Sequence, residues 1–306
     1  MKIQNFDKLC SVLYENRYCN QDELDIVICG GDTEEVMELK GPDFTTSVKL
    51  SPMPRSIYFC DTTVIGSEIY VLDVDNTSVN IPYSLGVYSK NTKHWREHIH
   101  LIDLGIYFSV CSFMKSVYVI GGYLGDVRYS KECLRYEIKN NKWTQIAPLK
   151  IKRCNSACTV FEGKIVATGG ENYKGTLKSV ESYDHYKKKW TSLSDMIGGK
   201  FEHSAINMGN KLFVISSVSY TSSEVYDNIS RKFTLLNLKR HYTDPNFRSC
   251  KAVGISNKIY IFCSYFSNEN IIMIYVYNVD ENEWNSEEFV IADKLRPAAF
   301  QKHPKT

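Results

Sequence analysis

Val117-Tyr118-Val119-Ile120-Gly121-Gly122 is followed by a polar loop as far as Lys131, by Leu134-Arg135-Tyr136, and, seven residues past that tyrosine, by Trp143. The apolar run has the length of a strand. The glycine pair ends it, because glycine weakens a strand interior and admits the positive φ of a turn. The polar segment 137–142 suits a second turn, which brings the chain back as an outer strand over 143–148. Three strands joined this tightly cannot bury both faces of their sheet, so the unit needs neighbours of its own kind.

The chain supplies them. The position of Gly121 is occupied at Gly30, Asp73, Gly169, Ser216 and Cys263, with separations along the chain of 43, 48, 48, 47 and 47 residues. The segments before these marks, 26–29, 69–72, 165–168, 212–215 and 259–262, are almost wholly apolar, as expected of strands covered on both faces. The tyrosine and its aromatic partner recur at Tyr88 and Trp95, Tyr183 and Trp190, Tyr226 and Phe233, and Tyr277 and Trp284, with Met37 and Phe44 as a worn first copy. Six copies at this period imply a repeat architecture of four-stranded units.

These marks resemble the kelch repeat, whose period is about 50 residues and whose signature is a Gly-Gly after a hydrophobic strand, then a Tyr and a Trp at this spacing. Gly-Gly stands in three of the six copies, at Gly30-Gly31, Gly121-Gly122 and Gly169-Gly170. WD40 repeats have a period of about 40 to 45 and a Gly-His and Trp-Asp signature that this chain lacks. The resemblance spans 25–302. It implies an all-β fold, a six-bladed kelch β-propeller of four-stranded antiparallel blades, over approximately 25–54, 55–104, 105–152, 153–199, 200–247 and 248–295.

The first blade has no strand pattern at 17–24, where its innermost strand is expected, while 296–301 (Arg296-Pro297-Ala298-Ala299-Phe300-Gln301) stands alone beyond the last copy. Ring closure by 296–302 follows from this, since it removes exposed sheet edges, although Pro297 lacks a ladder donor. The resembled family closes its ring the same way. Phe6, Leu9, Cys10 and Leu13 recur at helical spacing, so a short helix is expected within 5–16 as part of an N-terminal segment 1–24.

Composition narrows the functional classes. Lys and Arg number 37 against 35 acidic residues, and that balance offers no field for nucleic acid or an anionic membrane. No apolar run approaches a membrane span or a signal-peptide core, so the expected address is cytoplasmic. There the sequons at Asn76 and Asn228 go unused, and the ten scattered cysteines, without a Cys-x-x-Cys pair, read as buried thiols. Gly-x-Ser-x-Gly, the phosphate loop ending in Gly-Lys-Ser/Thr and His-Glu-x-x-His are all missing, so no enzyme is expected. His94, His98 and His100 share one strand face, but Trp95, Ile99 and Leu101 opposite them give the pattern of an outer strand with a wetted side. Neither a metal nor a cofactor is expected. Lys187-Lys188-Lys189 reads as a solvated turn.

Function is expected on the longer loops that follow the Gly-Gly position and that enter each inner strand. They carry Tyr123, Tyr173, Tyr220 and Tyr265 together with Arg55, Arg128, Arg153, Lys200 and Arg248, and Tyr and Arg are frequent interface anchors. In the resembled family, a tyrosine after Gly-Gly and an arginine opening the inner strand contact bound peptides. Tyr123 and Arg153 match those positions, whereas Asp32 and Glu171 follow the other two glycine pairs and Lys200 replaces an arginine. A protein or peptide target, of acidic character, is the implied partner. Trp143, Trp190, Trp284, Tyr136 and Tyr183 are expected to pack between blades instead.

Sequences that this one resembles are commonly the C-terminal half of BTB-kelch adaptors, which present targets to a cullin-3 ubiquitin ligase. On that reading the chain is a non-catalytic substrate-recognition propeller, and the ligase contact requires a BTB domain that is not among these residues. The alternative within the family is an actin-binding or scaffold protein.

Overall fold

The computed structural model describes residues 11–14, 25–29, 34, 36–40, 46–54, 60–74, 83–100, 105–216, 223–236, 247–265 and 272–291. These residues form six four-stranded antiparallel sheets, one for each sequence repeat, and a small extra hairpin, Glu171–Asn172 with Gly175–Thr176. Each sheet is a meander. In blade 3, Ser109–Phe113 is innermost, Ser116–Ile120 and Cys133–Glu137 follow, and Lys142–Ile146 lies at the outer edge.

The inner strands Ser11–Tyr14, Cys60–Ile65, Ser109–Phe113, Ala157–Phe161, Ser204–Met208 and Phe247–Ile255 adjoin one another in this order, and the last meets the first. The ring is therefore closed with six blades. Around it the apolar faces meet in pairs. Blade 1 packs on blade 2 through Val27, Cys29, Ile69, Val71 and Tyr88, and blade 6 returns to blade 1 through Phe262, Ile274, Ile26 and Leu39. Strands buried from both sides explain why the second strand of each blade is a continuous apolar run rather than an alternating one.

The aromatic pairs lie directly opposite each other in register, Tyr136 with Trp143 and Tyr183 with Trp190. Their ring centroids are 5.1 and 5.2 Å apart, and each pair packs against the preceding blade. Trp190 is anchored further, since its indole N–H donates to the Ala147 carbonyl of the loop leaving blade 3 at 2.8 Å. Trp95 repeats that bond with Ser51 O in blade 2. Trp284 stands opposite Tyr277 in the backbone register of blade 6.

Three expectations change. The innermost strand of blade 1 is N-terminal, not C-terminal: Ser11–Tyr14 pairs with Asp25–Cys29, from Ser11 opposite Cys29 to Tyr14 opposite Ile26. The Pro297-containing segment 296–302 lies outside the described residues, but that innermost place is taken by a β-prone Ser-Val-Leu-Tyr strand with every ladder donor intact. It escaped the repeat template because ten residues, 15–24, separate it from its partner, where other blades use a two-residue turn. For the same reason the expected helix over 5–16 does not extend through 11–14, and the rest of that helix lies outside the described residues. In blade 1 the place of the tyrosine is held by Leu39 opposite Ser47, not by Met37, as the register of Ile26 with Leu39 requires.

Candidate protein-binding face

The pairing of Ile120 with Ser109 puts the end of each second strand beside the start of its inner strand, so both sets of long loops emerge on one face of the ring. The loops are stitched down where they meet the channel mouth. Tyr107, Asn155 and Glu202 stand at equivalent points of three successive blades, all left-handed with φ of 59, 51 and 51°. Asn155 N donates to Tyr107 O at 2.8 Å and Glu202 N to Asn155 O at 2.9 Å, a chain of backbone bonds running from blade to blade. Asn155 Nδ2 also donates to the Glu171 carboxylate at 2.8 Å.

Arg153 lies in the loop that passes from blade 3 to blade 4, and its backbone belongs to one blade while its side chain belongs to the next. Its N–H donates to Ser130 O, and its carbonyl accepts from Gly122 N at 2.9 Å. The guanidinium donates to Gly169 O, to the Ser179 carbonyl and hydroxyl, and to Glu181 Oε1 at 2.8 Å. Glu181 completes the clamp by accepting from the backbone N–H groups of Lys150 and Ile151. Lys200 repeats the arrangement one blade on. Its carbonyl accepts from Gly170 N, and its ammonium donates to Glu224, which also accepts from Ile197 N and Gly198 N.

Arg153 is 0% exposed and Lys200 1%. Side chains without surface cannot meet a partner, so their placement among the binding residues is corrected: both are inter-blade clamps. Burial pulls the Arg153 guanidinium below its ordinary range, against the opposing pull of Glu181. The glycine pairs belong to the same device. A Cβ on Gly121 would sit 2.4 Å from Arg153 O and one on Gly169 2.5 Å from Lys200 O, and both glycines have positive φ. Gly30 and Gly31 lie outside the described residues.

The other loop residues divide. Tyr173 caps the extra hairpin, 66% exposed, with the Lys174 ammonium 5.6 Å above its ring. Arg128 is exposed and donates to Leu124 O at 3.1 Å. Tyr123 is half-buried, edge-on to Tyr129 at 5.3 Å, and its hydroxyl accepts from Val127 N. Tyr265 falls within a strand, backbone-paired with Phe247, and Arg248 sits at the register shift of the same pair. Tyr220 and Arg55 lie outside the described residues. The loops thus leave Tyr123 and Arg128 on blade 3 and Tyr173 on blade 4 with surface, and withdraw Arg153 and Lys200.

Inside the ring, a cavity of about 390 Å³ is bordered by the inner strands of blades 2 to 6. Asp61 at its wall bonds the neighbouring blade 3, accepting from Val110 N at 2.6 Å as well as from Thr62 N, and burial pushes its carboxyl up. Ser204 Oγ likewise accepts from Ala252 N of blade 6 at 2.9 Å. His203, buried beside Thr168 Oγ1 at 2.7 Å, is depressed to about 3 by burial first and then by Lys200, Lys251 and Arg153.

Neither Glu181 nor Glu224 was singled out from the sequence, yet a signal exists. Both stand two residues before the repeat tyrosine, and each accompanies a cation two residues before the inner-strand entry point. In blade 3, Gly105 and Leu134 occupy those two positions together. Comparing blades therefore shows cation and carboxylate appearing and disappearing as a unit.

The family model described as the kelch motif matches residues 106–150 and 152–197, which are blades 3 and 4 almost end to end. With six such sheets closed in a ring, the family follows. The chain is a kelch-repeat β-propeller. The propeller is 22% identical over 250 residues to Kelch-like protein 25 of Xenopus tropicalis, covering 77% of this chain and 41% of that protein. It is 33% identical over 102 residues to Kelch-like protein 26 of Danio rerio, covering 32% and 17%. With alpha-scruin of Limulus polyphemus the identity is 25% over 155 residues, covering 48% and 17%. The kelch propeller thus spans less than half the length of each of these relatives. Its fold is that of a protein-interaction module.

His94, at the start of the outer strand of blade 2, is exposed, with its Nδ1 against Lys93 O at 2.9 Å. That strand is at the sheet edge, and Arg96 on the same face as His94 is exposed too, while the side chains of His98 and His100 lie outside the described residues. No helix among the described residues is long and apolar enough to cross a membrane.

Proposed function

We infer that the loop-bearing face holds a protein target, and that the propeller is the recognition part of a BTB-kelch type adaptor working in the cytoplasm. Contact with a cullin-3 ligase would fall to a BTB domain outside these residues, and no step of catalysis would be carried by the propeller. The observation that supports this best is the division of labour on the loop face. Its internal cations are consumed in clamps, whereas Tyr173 and Arg128 are exposed on their loops, Arg128 while donating to Leu124 O and Tyr173 beneath the Lys174 ammonium. An aromatic and a guanidinium on a fixed scaffold are the usual energetic centres of an interface. Exposed Lys152 and Lys174 beside them favour an acidic segment of the target.

The test is affinity capture from cytoplasmic extract with the wild type and a Tyr173→Ala/Arg128→Ala variant of unchanged melting temperature. Loss of the wild-type partner set from the variant supports the face. Retention of the same partners at equal strength sinks it. The actin-binding scaffold of the same family is separated by co-sedimentation with filamentous actin, which the adaptor reading expects to be negative.

A further inference from the structure

Two thiols stand on neighbouring inner strands where blades 3 and 4 meet at the channel. Cys111 is on the inner strand of blade 3 and Cys158 on that of blade 4, 47 residues later. Both belong to the apolar cluster joining these blades, both border the central cavity, and the strands that carry them are neighbours in the ring. One step nearer the loop face the same two blades are joined by the Ser109 and Ser156 hydroxyls, whose oxygens lie 3.1 Å apart. The neighbouring cysteines are turned elsewhere: Cys133 Sγ points to Lys131 O at 3.6 Å and Cys154 Sγ to Glu171 Oε1 at 3.9 Å.

We propose that Cys111 and Cys158 are a redox modification site, in which a small hydroperoxide entering the channel converts the pair into a disulfide that ties blade 3 to blade 4. Cys158 reacts first, because it keeps some exposure at the cavity wall while Cys111 is buried. Its sulfur attacks the peroxide O–O bond, giving the Cys158 sulfenic acid and one water from hydrogen peroxide. The Cys111 sulfur then attacks the Cys158 sulfur, the S–O bond breaks, and the departing hydroxide leaves as a second water with the Cys111 proton. Two thiols lose two electrons in total and one peroxide gains them. Burial and the nearby Asp61 hold the Cys158 thiol well above its ordinary range, so the pair answers sustained rather than brief oxidant. The cross-link joins strands a full repeat apart and removes that freedom from the unfolded chain.

The experiment treats the folded chain with hydrogen peroxide, blocks residual thiols, and maps unreduced peptides by mass spectrometry alongside the melting temperature. The expected result is a Cys111–Cys158 linked peptide, reversed by dithiothreitol, with a melting temperature several degrees higher. Cys158→Ser should show neither the link nor the shift, and Cys111→Ser should strand a sulfenic acid on Cys158 that dimedone captures. Failure to find the linked peptide in wild type after prolonged treatment overturns the proposal. So does a link from Cys158 to Cys133, or a reversible Cys111–Cys158 link that leaves the melting temperature unmoved. The wild-type mapping decides the question even where a serine variant folds poorly.

Discussion

Arg153 Nη2 lies 2.8 Å from Glu181 Oε1, and neither side chain has meaningful contact with solvent. The arginine arrives on a loop whose backbone is bound to blade 3, and the glutamate stands on the third strand of blade 4. Attraction between the two charges therefore works as a fastening between blades. Removing either partner leaves the other charge buried and unpaired, a loss of about 3–5 kcal/mol. Arg153→Ala and Glu181→Ala should each lower unfolding stability by that order in urea titrations. The double variant Arg153→Leu/Glu181→Leu should lose much less than the sum, in keeping with the Gly105 and Leu134 of blade 3. Additive losses would show that the two charges act independently.

Gly121 and Gly169 are bound up with the same clamps through their missing side chains. Gly121→Ala places a methyl 2.4 Å from the Arg153 carbonyl at a φ of 67°. The expected cost is about 2 kcal/mol or more from strain and displaced loop together. Gly163→Ala, at a hairpin tip with positive φ but open space around it, should cost less. Denaturant midpoints of the two variants give the comparison.

Trp190 is buried, bonds Ala147 O and fills the interface with blade 3, while Trp143 at the equivalent place keeps some exposure. Truncation to alanine should cost about 3–5 kcal/mol at Trp190 and less at Trp143. Melting curves that rank the two in the opposite order would misplace the tighter interface.

His203 links stability to acidity. Its folded value is about 3, below the ordinary 6.5, because burial and the cations Lys200, Lys251 and Arg153 all oppose a second proton. The unfolded chain accepts that proton at about pH 6.5 and the folded chain does not, so the stabilisation is whole above pH 6.5 and drains away as pH falls toward 3. The expected slope in that window is on the order of 1.4 kcal/mol per pH unit from this group. His203→Gln should flatten the curve of stability between pH 6.5 and 4 while lowering stability at pH 7.5, where Thr168 loses its neutral imidazole partner.

Much of this protein was legible in one dimension. The period near 47 residues, the apolar second strands and the tyrosine with its aromatic partner at seven residues established six like sheets. These features are local: a strand buried on both faces must be apolar throughout, and a tight turn fixes which residues stand opposite. The aromatic partners fell in register because a short turn leaves no other register.

What depended on distance in space was decided only in three dimensions. The innermost strand of blade 1 comes from 11–14 because a sheet edge accepts whichever strand reaches it, and a ten-residue connection carries no periodic mark. Arg153 and Lys200 read as exposed cations in loops until the carboxylates that consume them, 28 and 24 residues onward, came into place. A sequence states that a residue is charged, but the low dielectric of an interface and the position of its counter-charge determine whether that charge faces a partner or the protein itself. Tyr173 and Arg128 were left outward by the same packing, and that is why they, rather than the two clamps, are the residues of the proposed face to test.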